Sequence, residues 1–342
     1  MCACAVDIGT GFLVSAKQAD NAQIQLKSIR DCFLDMDNDS SIKSMLKMSK
    51  IDYIESEDKI YIIGNSASTL ASMFKKEVRR PLSKGVISPG ELEAEKILLI
   101  LIENILGKAT IPNEICYFSV PGDPIDRDMD VVYHRAMFSK LLSSLNYKPV
   151  AMNEAAAISY SNAAKENFSS LSISMGAGMT NVCIMFQTVP VMTFSLSRGG
   201  DTLDLQSAKA VGSTANRIQF IKEKGINLLD PSEGDPKTFR EREALIIYYK
   251  SLILYAFDSI KKEFEKRSGT IELPSAIPII LSGGSVLPKN FLELFKAAYD
   301  SVRGDFAIPI SEIRLANSPL EAVAQGLLIA ALHHDERNIK SS

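Results

Sequence analysis

The chain has 342 residues, of which 46% are hydrophobic and 23% are charged, enough to bury the cores of two domains of ordinary size. The formal net charge is only -3, with acidic and basic residues interspersed, which argues against a protein drawn to nucleic acid by its charge. The five cysteines lack the paired spacing of a zinc site, and only three histidines accompany them. We therefore expect reduced, buried thiols and no metal site built from side chains alone.

The apolar stretches are too short for a membrane span. The longest are KILLILIENILG (96–107) and LIIYYKSLILYAF (245–257), and neither reaches the length that crosses a bilayer. The N-terminus passes from Met1 into CACAVDIGTG without a basic flank or a cleavage region. These features predict a cytoplasmic protein.

The first elements along the chain form a motif that occurs twice. ACAVDIGTGFLVSAK (3–17) alternates into a Gly-Thr-Gly turn and out again, which predicts a β-hairpin with Asp7 at its mouth, and QIQLKSI (23–29) adds a third strand. LSISMGAGMTNVC (171–183) and VPVMTFSL (189–196) repeat this pattern roughly 165 residues later. Such a repeat predicts two related domains that face each other.

Helices and strands alternate through the rest of the chain, as in an α/β protein. Between the repeats we predict a helix after GELEAEK (90–96), a strand at EICYFSVP (114–121), a helix within 127–145 and a short strand at KPVAMNE (148–154). After the second repeat we predict helices at 204–212, 214–225 and 239–267, a strand that runs into a Gly-Gly-Ser turn at 278–288, a helix at 290–301 and a final helix, with small residues on one face, at 318–334.

The glycine turns indicate a site for a phosphate chain. Two glycine hairpins and a strand followed by Gly-Gly-Ser offer backbone N–H groups to an anion, and glycine allows the backbone to approach it closely. Asp7 is placed to hold a hydrated Mg²⁺ against the phosphates, and the Thr10 hydroxyl could donate to a terminal phosphate. Each signal alone is weak, because most Gly-x-Gly hairpins are only turns, but their joint occurrence is a stronger one.

DIGTG, GAGMT and LSGGS, in this order, resemble the first phosphate, second phosphate and adenosine motifs of the actin superfamily. The resemblance to bacterial MreB-type homologues extends over nearly the whole chain. It includes IYIIGNSASTLASMFKK, RRPLSKGVIS, SVPGDP, MNEAAAISY, SLSRGGDTLDLQ and NSPLEAVAQGLLIAA.

The resemblance implies an actin-like α/β fold, in which two related domains, each with a five-stranded mixed sheet flanked by helices, enclose a nucleotide cleft. The implied limits are 1–24, 77–154 and 318–342 for domain IA, 25–76 for the small lobe IB, 155–198 and 270–317 for domain IIA, and 199–269 for lobe IIB.

The resemblance also implies the residues that hold ATP or ADP with Mg²⁺. The cofactor-binding residues would be Asp7, Gly9, Thr10, Gly11, Ser174, Gly176, Gly178, Thr180, Gly199, Gly200, Asp201, Asn216, Gln219, Gly283, Gly284 and Ser285, with Asp7 also holding the metal through water. Glu154 would orient the attacking water, and Asp7 is the second catalytic candidate. A carboxylate at a strand end facing a phosphate cleft suits that task, although it would also be favourable simply as a helix N-terminal acid.

Two departures from the family pattern affect the expected chemistry. Ser174 stands where the family has a second acidic residue, so we expect hydrolysis to be slow while phosphate binding is kept. Asn216, Arg217 and Gln219 occupy the places of a glutamate and a lysine that hold the adenosine, so contacts to the base or ribose would differ. ATP is preferred over GTP only because the family uses it.

The expected function is an MreB-related protein that forms head-to-tail cytoskeletal filaments with ATP bound, and a weak ATPase. Other protein partners stay unidentified, nucleic acid is not expected, and a membrane would be met only indirectly, since the loop GKATIPNE (107–114) has one exposed-looking Ile111 and no aromatic residue. One alternative is a degenerate scaffold or regulator that binds nucleotide without hydrolysis, which Ser174 favours. Another is a chaperone-like reactivating ATPase, although we expect no substrate domain after the last helix. A sugar kinase would need a separate catalytic aspartate, and we identify none.

Overall fold

The computed structural model describes residues 3–18, 23–51, 53–56, 58–74, 76–129, 131–267 and 273–340. The strands in these ranges are β1 (Ala3–Ile8), β2 (Phe12–Gln18), β3 (Ile24–Arg30), β4 (Phe33–Asp37), β5 (Tyr53–Ser56), β6 (Lys59–Ile63), β7 (Leu82–Ser83), β8 (Val86–Ile87), β9 (Glu114–Val120), β10 (Tyr147–Asn153), β11 (Ser170–Met175), β12 (Thr180–Phe186), β13 (Val189–Leu196), β14 (Ile277–Ser282) and β15 (Ile310–Leu315). The helices are α1 (Ser40–Met48), α2 (Gly64–Phe74), α3 (Ala94–Leu106), α4 (Val131–Ser144), α5 (Glu154–Asn162), α6 (Gly200–Val211), α7 (Ala215–Glu223), α8 (Phe239–Glu265), α9 (Phe291–Val302) and α10 (Ala322–Lys340).

Two five-stranded sheets share one topology. Their strand orders are β10-β9-β1-β2-β3 and β13-β12-β11-β14-β15. In each sheet an antiparallel three-stranded meander continues into two parallel strands, because β1 pairs in parallel with β9 and β11 pairs in parallel with β14. The predicted repeat, the mixed five-stranded sheets and the predicted helices and strands are therefore confirmed.

The central strand β1 is buried on both faces, and its sequence shows how. Side chains alternate along a strand, so Cys4 and Val6 enter the core under α3, whose buried residues recur at the helical period. Ala5 lies on the other face, in a cluster with α5 and α10. Small side chains on that face let these helices pack close to the sheet, and the same face carries Asp7 at the end of the strand.

Strand β11 has the same two-faced pattern, with serines on one side. Leu171 and Ile173 enter the core of the second domain, beneath α8 and α9. Ser170 and Ser172 lie on the opposite face, where each hydroxyl is within hydrogen-bond distance of the hydroxyl of Ser159 on α5, at 2.8 and 3.1 Å. Buried hydroxyls are thus paired with one another along the junction between the sheet and α5.

The small lobe has its own sheet and its own core. Strands β4, β6 and β5 form a three-stranded sheet on which α1 and α2 pack through residues such as Leu46 and Leu70. Strand β3 does not belong to this lobe, because it pairs along its length with β2 and completes the first large sheet. The lobe's sheet therefore begins at Phe33, later than the implied boundary at residue 25.

The cysteines in the described part of the chain match the sequence expectation. Cys4, Cys32, Cys116 and Cys183 are all buried and free, whereas Cys2 lies outside the described residues. No helix within the described ranges combines the length and the apolar character that a bilayer crossing requires.

His134 is a buried, neutral imidazole beside Phe138, and it predicts acid sensitivity. Burial lowers its pKa from 6.5 to about 4, and among the described residues neither ring nitrogen has a hydrogen-bond partner. Between these values the unfolded chain takes up a proton that the folded chain does not, so stability falls with falling pH by up to about 1.4 kcal/mol per pH unit. Unfolding measured from pH 7 to pH 4 should show a shallower decline for His134→Leu. Replacing the exposed His333 by Gln should leave the decline unchanged, and equal slopes for all three proteins would contradict the prediction.

The contact between α10 and α5 predicts a glycine requirement. A Cβ added to Gly326 would overlap the carbonyl group of Ala157, so the two helix backbones meet at this point. Alanine normally favours a helix interior by about 1 kcal/mol over glycine. Here we expect Gly326→Ala to lower stability by about 2 kcal/mol through overpacking, seen as a lower urea midpoint, while Gln325→Ala on the same turn changes it little. A more stable Gly326→Ala protein would show that the helices separate freely.

Candidate functional site

A cavity of about 450 Å³ lies between the two large sheets, where β1 and β11 end. Most of the residues implied by the sequence line it. They are Asp7, Gly9, Thr10, Gly11, Glu154, Ser174, Gly176, Gly178, Gly200, Asp201, Gln219, Gly283, Gly284 and Ser285. The structure therefore brings together the three glycine motifs and both candidate carboxylates.

Three implied residues do not line the cavity. Thr180 is buried and donates its hydroxyl to the carbonyl oxygen of Arg198 at 2.8 Å. Gly199 packs so closely that a Cβ would lie 2.6 Å from the carbonyl oxygen of Ala177, which makes its glycine a packing requirement. Asn216 is exposed near the start of α7.

Other residues of the wall were not identified from the sequence. At the end of α7, Lys222 and Glu223 line the cavity with Gln219, three and four positions after it. Residues at this spacing share a helix face, so Gln219 could have led to both of them. The wall also includes Arg30, Arg80, Asn181 and Lys289, for which the sequence carried no signal of this kind.

The two glycine turns meet directly across the cavity. The Gly9 amide donates to the carbonyl oxygen of Phe12 at 3.1 Å, and the Gly176 amide closes the second turn in the same way. A Cβ on Gly178 would lie 2.5 Å from the Thr10 hydroxyl oxygen, and one on Gly11 would lie 3.3 Å from the Ala177 Cβ. None of the four turn glycines has a positive φ, so glycine is needed here for close approach between the domains.

The third glycine motif is fastened to the second turn. Gly283 has a φ of 94°, a left-handed value, and a Cβ there would overlap the backbone of Met175. The Ser285 hydroxyl donates to the carbonyl oxygen of Gly176 at 3.0 Å, and the Gly200 amide donates to the same oxygen at 2.9 Å. One carbonyl group thus fixes the Gly-Gly-Ser turn and the start of α6 against the hairpin.

Asp7 is a buried carboxyl held by Ser119. The Ser119 hydroxyl donates to Asp7 Oδ1 at 2.8 Å and accepts from the Ile8 amide at 2.7 Å. Burial raises the pKa of Asp7 to about 6, against the opposing effect of the hydrogen bonds from Ser119 and Ile8.

Glu154 is the first residue of α5, and both of its carboxyl oxygens accept a hydrogen bond. Ser174 Oγ donates to Oε1 at 2.6 Å, and Asn181 Nδ2 donates to Oε2 at 2.8 Å. Burial and the nearby charge of Asp7 raise the pKa of Glu154 to about 8, while the Ser174 bond acts in the opposite direction. Two buried carboxyls that disfavour each other's ionised forms create a place where a cation is welcome.

The donor set fits a metal that is bound mainly by a nucleotide. Within the described ranges, no group of three or more His, Cys, Asp or Glu side chains is arranged to hold a metal ion. Mg²⁺ usually takes one or two protein carboxylates and completes its coordination with phosphate oxygens and water. Asp7, with Glu154 raising the local negative charge, matches that requirement, and Asp7 as the metal residue stays a prediction.

Two arginines cross the mouth of the cavity. Arg30, at the end of β3, makes a bidentate pair with Glu223 of α7 at 3.0 and 3.1 Å, and its guanidinium lies over the Phe12 ring. Arg80 contacts both carboxylate oxygens of Asp201 on α6 at 3.0 Å. Both pairs join the first domain to helices of the second.

Comparison with known proteins defines the class. A family model described as Volactin matches residues 2–331, so the chain belongs to the Volactin family. No curated protein matches its sequence.

Several solved structures resemble the whole chain. A MamK double helical filament has a TM-score of 0.71 at 16% identity and covers 98% of each chain. MreB5 of Spiroplasma citri bound to AMPPNP has a TM-score of 0.67 at 16% identity, covering 100% of this chain and 99% of that one. The ethanolamine utilization protein EutJ of Carboxydothermus hydrogenoformans has a TM-score of 0.54 at 13% identity, with 96% and 89% covered. The actin-like fold expected from the sequence is thereby confirmed.

The arginine pairs predict a cleft whose width depends on salt. Their side chains are 24% and 44% exposed in one pair and 29% and 38% in the other, so each pair contributes about 0 to 1 kcal/mol and is screened by salt. Replacing both Arg30 and Arg80 by Gln should raise the radius of gyration measured by small-angle scattering at low salt. Added salt should bring the wild type toward the variant.

A matched control exists within one domain. Arg314 pairs with Glu166 at 3.2 Å with similar exposure, 26% and 29%, and Arg314→Gln should leave the radius unchanged. An unchanged radius in the double variant would show that the pairs do not hold the cleft.

Proposed function

We propose that this Volactin-family protein binds Mg-ATP in the cavity between its two domains and assembles head to tail into cytoskeletal filaments in the cytoplasm. The observation that carries the proposal is the meeting of two equivalent glycine turns, Gly9–Gly11 and Gly176–Gly178, at a cavity that also contains a metal-competent carboxyl, Asp7. Backbone amides and a divalent cation are what a phosphate chain requires.

The size and position of the cavity support a nucleotide. A volume of about 450 Å³ falls within the range of small-molecule and cofactor sites. Its walls come from both domains, so a ligand there contacts both and favours the closed arrangement by its differential affinity. The similar structures of MamK and MreB5 have AMPPNP or ADP bound, which supports an adenine nucleotide here.

Filament formation is the second part of the proposal. The MamK structure with the same fold is a double helical filament. Identical subunits that meet through two different faces form an open strand when the rotation does not close. ATP in the cleft would select the closed subunit, and assembly would follow from that shape.

Residues of the chain could support slow hydrolysis. Bound Mg²⁺ would neutralise charge on the phosphates and favour the ionised form of Glu154. Glu154 would accept a hydrogen bond from the attacking water and orient it, while Ser119 holds Asp7 in place. Without a cation, a Glu154 pKa of about 8 leaves most of this carboxyl protonated at neutral pH.

A second candidate is a scaffold that binds nucleotide without turning it over. Ser174 favours it, because a hydroxyl brings no negative charge and is a poor base. The two candidates share the binding site and differ only in phosphate release, so a measured hydrolysis rate separates them.

The test replaces the metal carboxyl. Asp7→Asn should weaken ATP binding in the presence of magnesium by roughly 10- to 100-fold, measured by calorimetry, because a neutral amide no longer attracts the cation. Electron microscopy should show filaments of the wild type with ATP and far fewer with the variant. Asp123→Asn, at an exposed carboxyl outside the cavity, should behave as wild type.

Two outcomes would contradict the proposal. Failure of the wild type to bind any purine nucleotide would remove the ligand. Absence of polymers in ATP, ADP and nucleotide-free samples across salt and magnesium concentrations would remove the cytoskeletal role and leave the binding protein.

A further inference from the structure

Ser174 continues a line of serines that faces α5. Ser170, Ser172 and Ser174 occupy alternate positions of β11 and therefore lie on one side of the strand. The first two are paired with Ser159, and the third donates to Glu154 at 2.6 Å. Ser174 is 1% exposed, so its hydroxyl is directed to the carboxyl within a closed environment.

Asn181 supplies the second donor, and its orientation is fixed. It lies directly opposite Ser174 in the β11–β12 register. Its Oδ1 accepts from the Gly122 amide at 3.0 Å, so its Nδ2 is the atom that faces Glu154, at 2.8 Å. Gly122 follows β9 of the first domain, and the asparagine thus connects both domains to the carboxyl.

A cross-strand pair therefore holds one carboxyl by both of its oxygens. Each oxygen of Glu154 accepts one bond from a neutral donor, which fixes the plane and the position of the group. We propose that Ser174 and Asn181 are positioning residues that aim Glu154 at the water in ATP hydrolysis, an inference that rests on the proposed nucleotide function.

The pair gives Ser174 a role that an acid could not fill. An aspartate at position 174 would place a second carboxyl against Glu154, at a site where the serine oxygen is 2.6 Å away. Two carboxylates at such a distance cannot both be ionised, so they would share a proton or move apart. The serine is then a requirement of this site, and restoring the acidic residue of related proteins would lower the rate.

The experiment measures nucleotide affinity first and phosphate release second. Ser174→Ala and Asn181→Ala should keep the ATP dissociation constant and KM within about twofold while kcat falls about 10- to 100-fold, since misplacement of a catalytic group affects the chemical step. Ser174→Thr, which keeps the hydroxyl, should retain most of the rate. Ser174→Asp should be no faster than Ser174→Ala.

A matched control lies two residues away on the same face. Ser172→Ala removes a buried hydroxyl that pairs with Ser159 and Ser170, outside the cavity, and should leave kcat unchanged. A Ser174→Asp protein faster than wild type, a Ser174→Ala protein equal to it, or a wild-type rate equal to that of Glu154→Gln would overturn the inference while nucleotide binding stands. Loss of binding in the wild type would instead overturn the proposed function, and the inference with it.

Discussion

Backbone contact between two glycine turns is the constraint on which the arrangement of the cavity depends. Gly178 has no room for a Cβ beside Thr10 and Gly85, so the two domains touch at their turns and not through side chains. This contact brings the ends of β1 and β11 to one place, and with them Asp7 and Ser174, which occupy equivalent positions in the duplicated sheets. A rigid backbone junction is also a precise reference for groups that must act together.

The duplicated positions have diverged in charge, and burial explains why this matters. Asp7 has Ser119 beside it and the vicinity of Glu154, so a third carboxyl at position 174 would add negative charge where water is largely absent. Electrostatic repulsion is strong in such an environment, and without a bound cation it would be uncompensated. Serine answers this limit by donating to Glu154 and leaving the cavity with one metal carboxyl and one positioned carboxyl.

The sequence predicted what depends on local pattern. Alternating apolar residues around glycine turns located both meanders, and the spacing of apolar residues located α3 and α8, because these signals lie within one element. It did not predict strands β4 to β6, which are short and lack a repeat partner. It also missed Lys222 and the role of Asn181, because the direction of a helix face or of an amide depends on packing against a distant element.

The energies at the mouth of the cleft decide what controls closure. The pairs Arg30–Glu223 and Arg80–Asp201 are partly exposed, so together they contribute at most about 2 kcal/mol, which shifts an open–closed equilibrium by about 30-fold. Moving a population from nearly all open to nearly all closed needs about 5.5 kcal/mol. Such pairs therefore bias the cleft without locking it, and the larger share of the closing free energy has to come from a ligand that contacts both glycine turns. Closure that depends on a ligand in this way is what allows the state of the cleft to be read by another subunit.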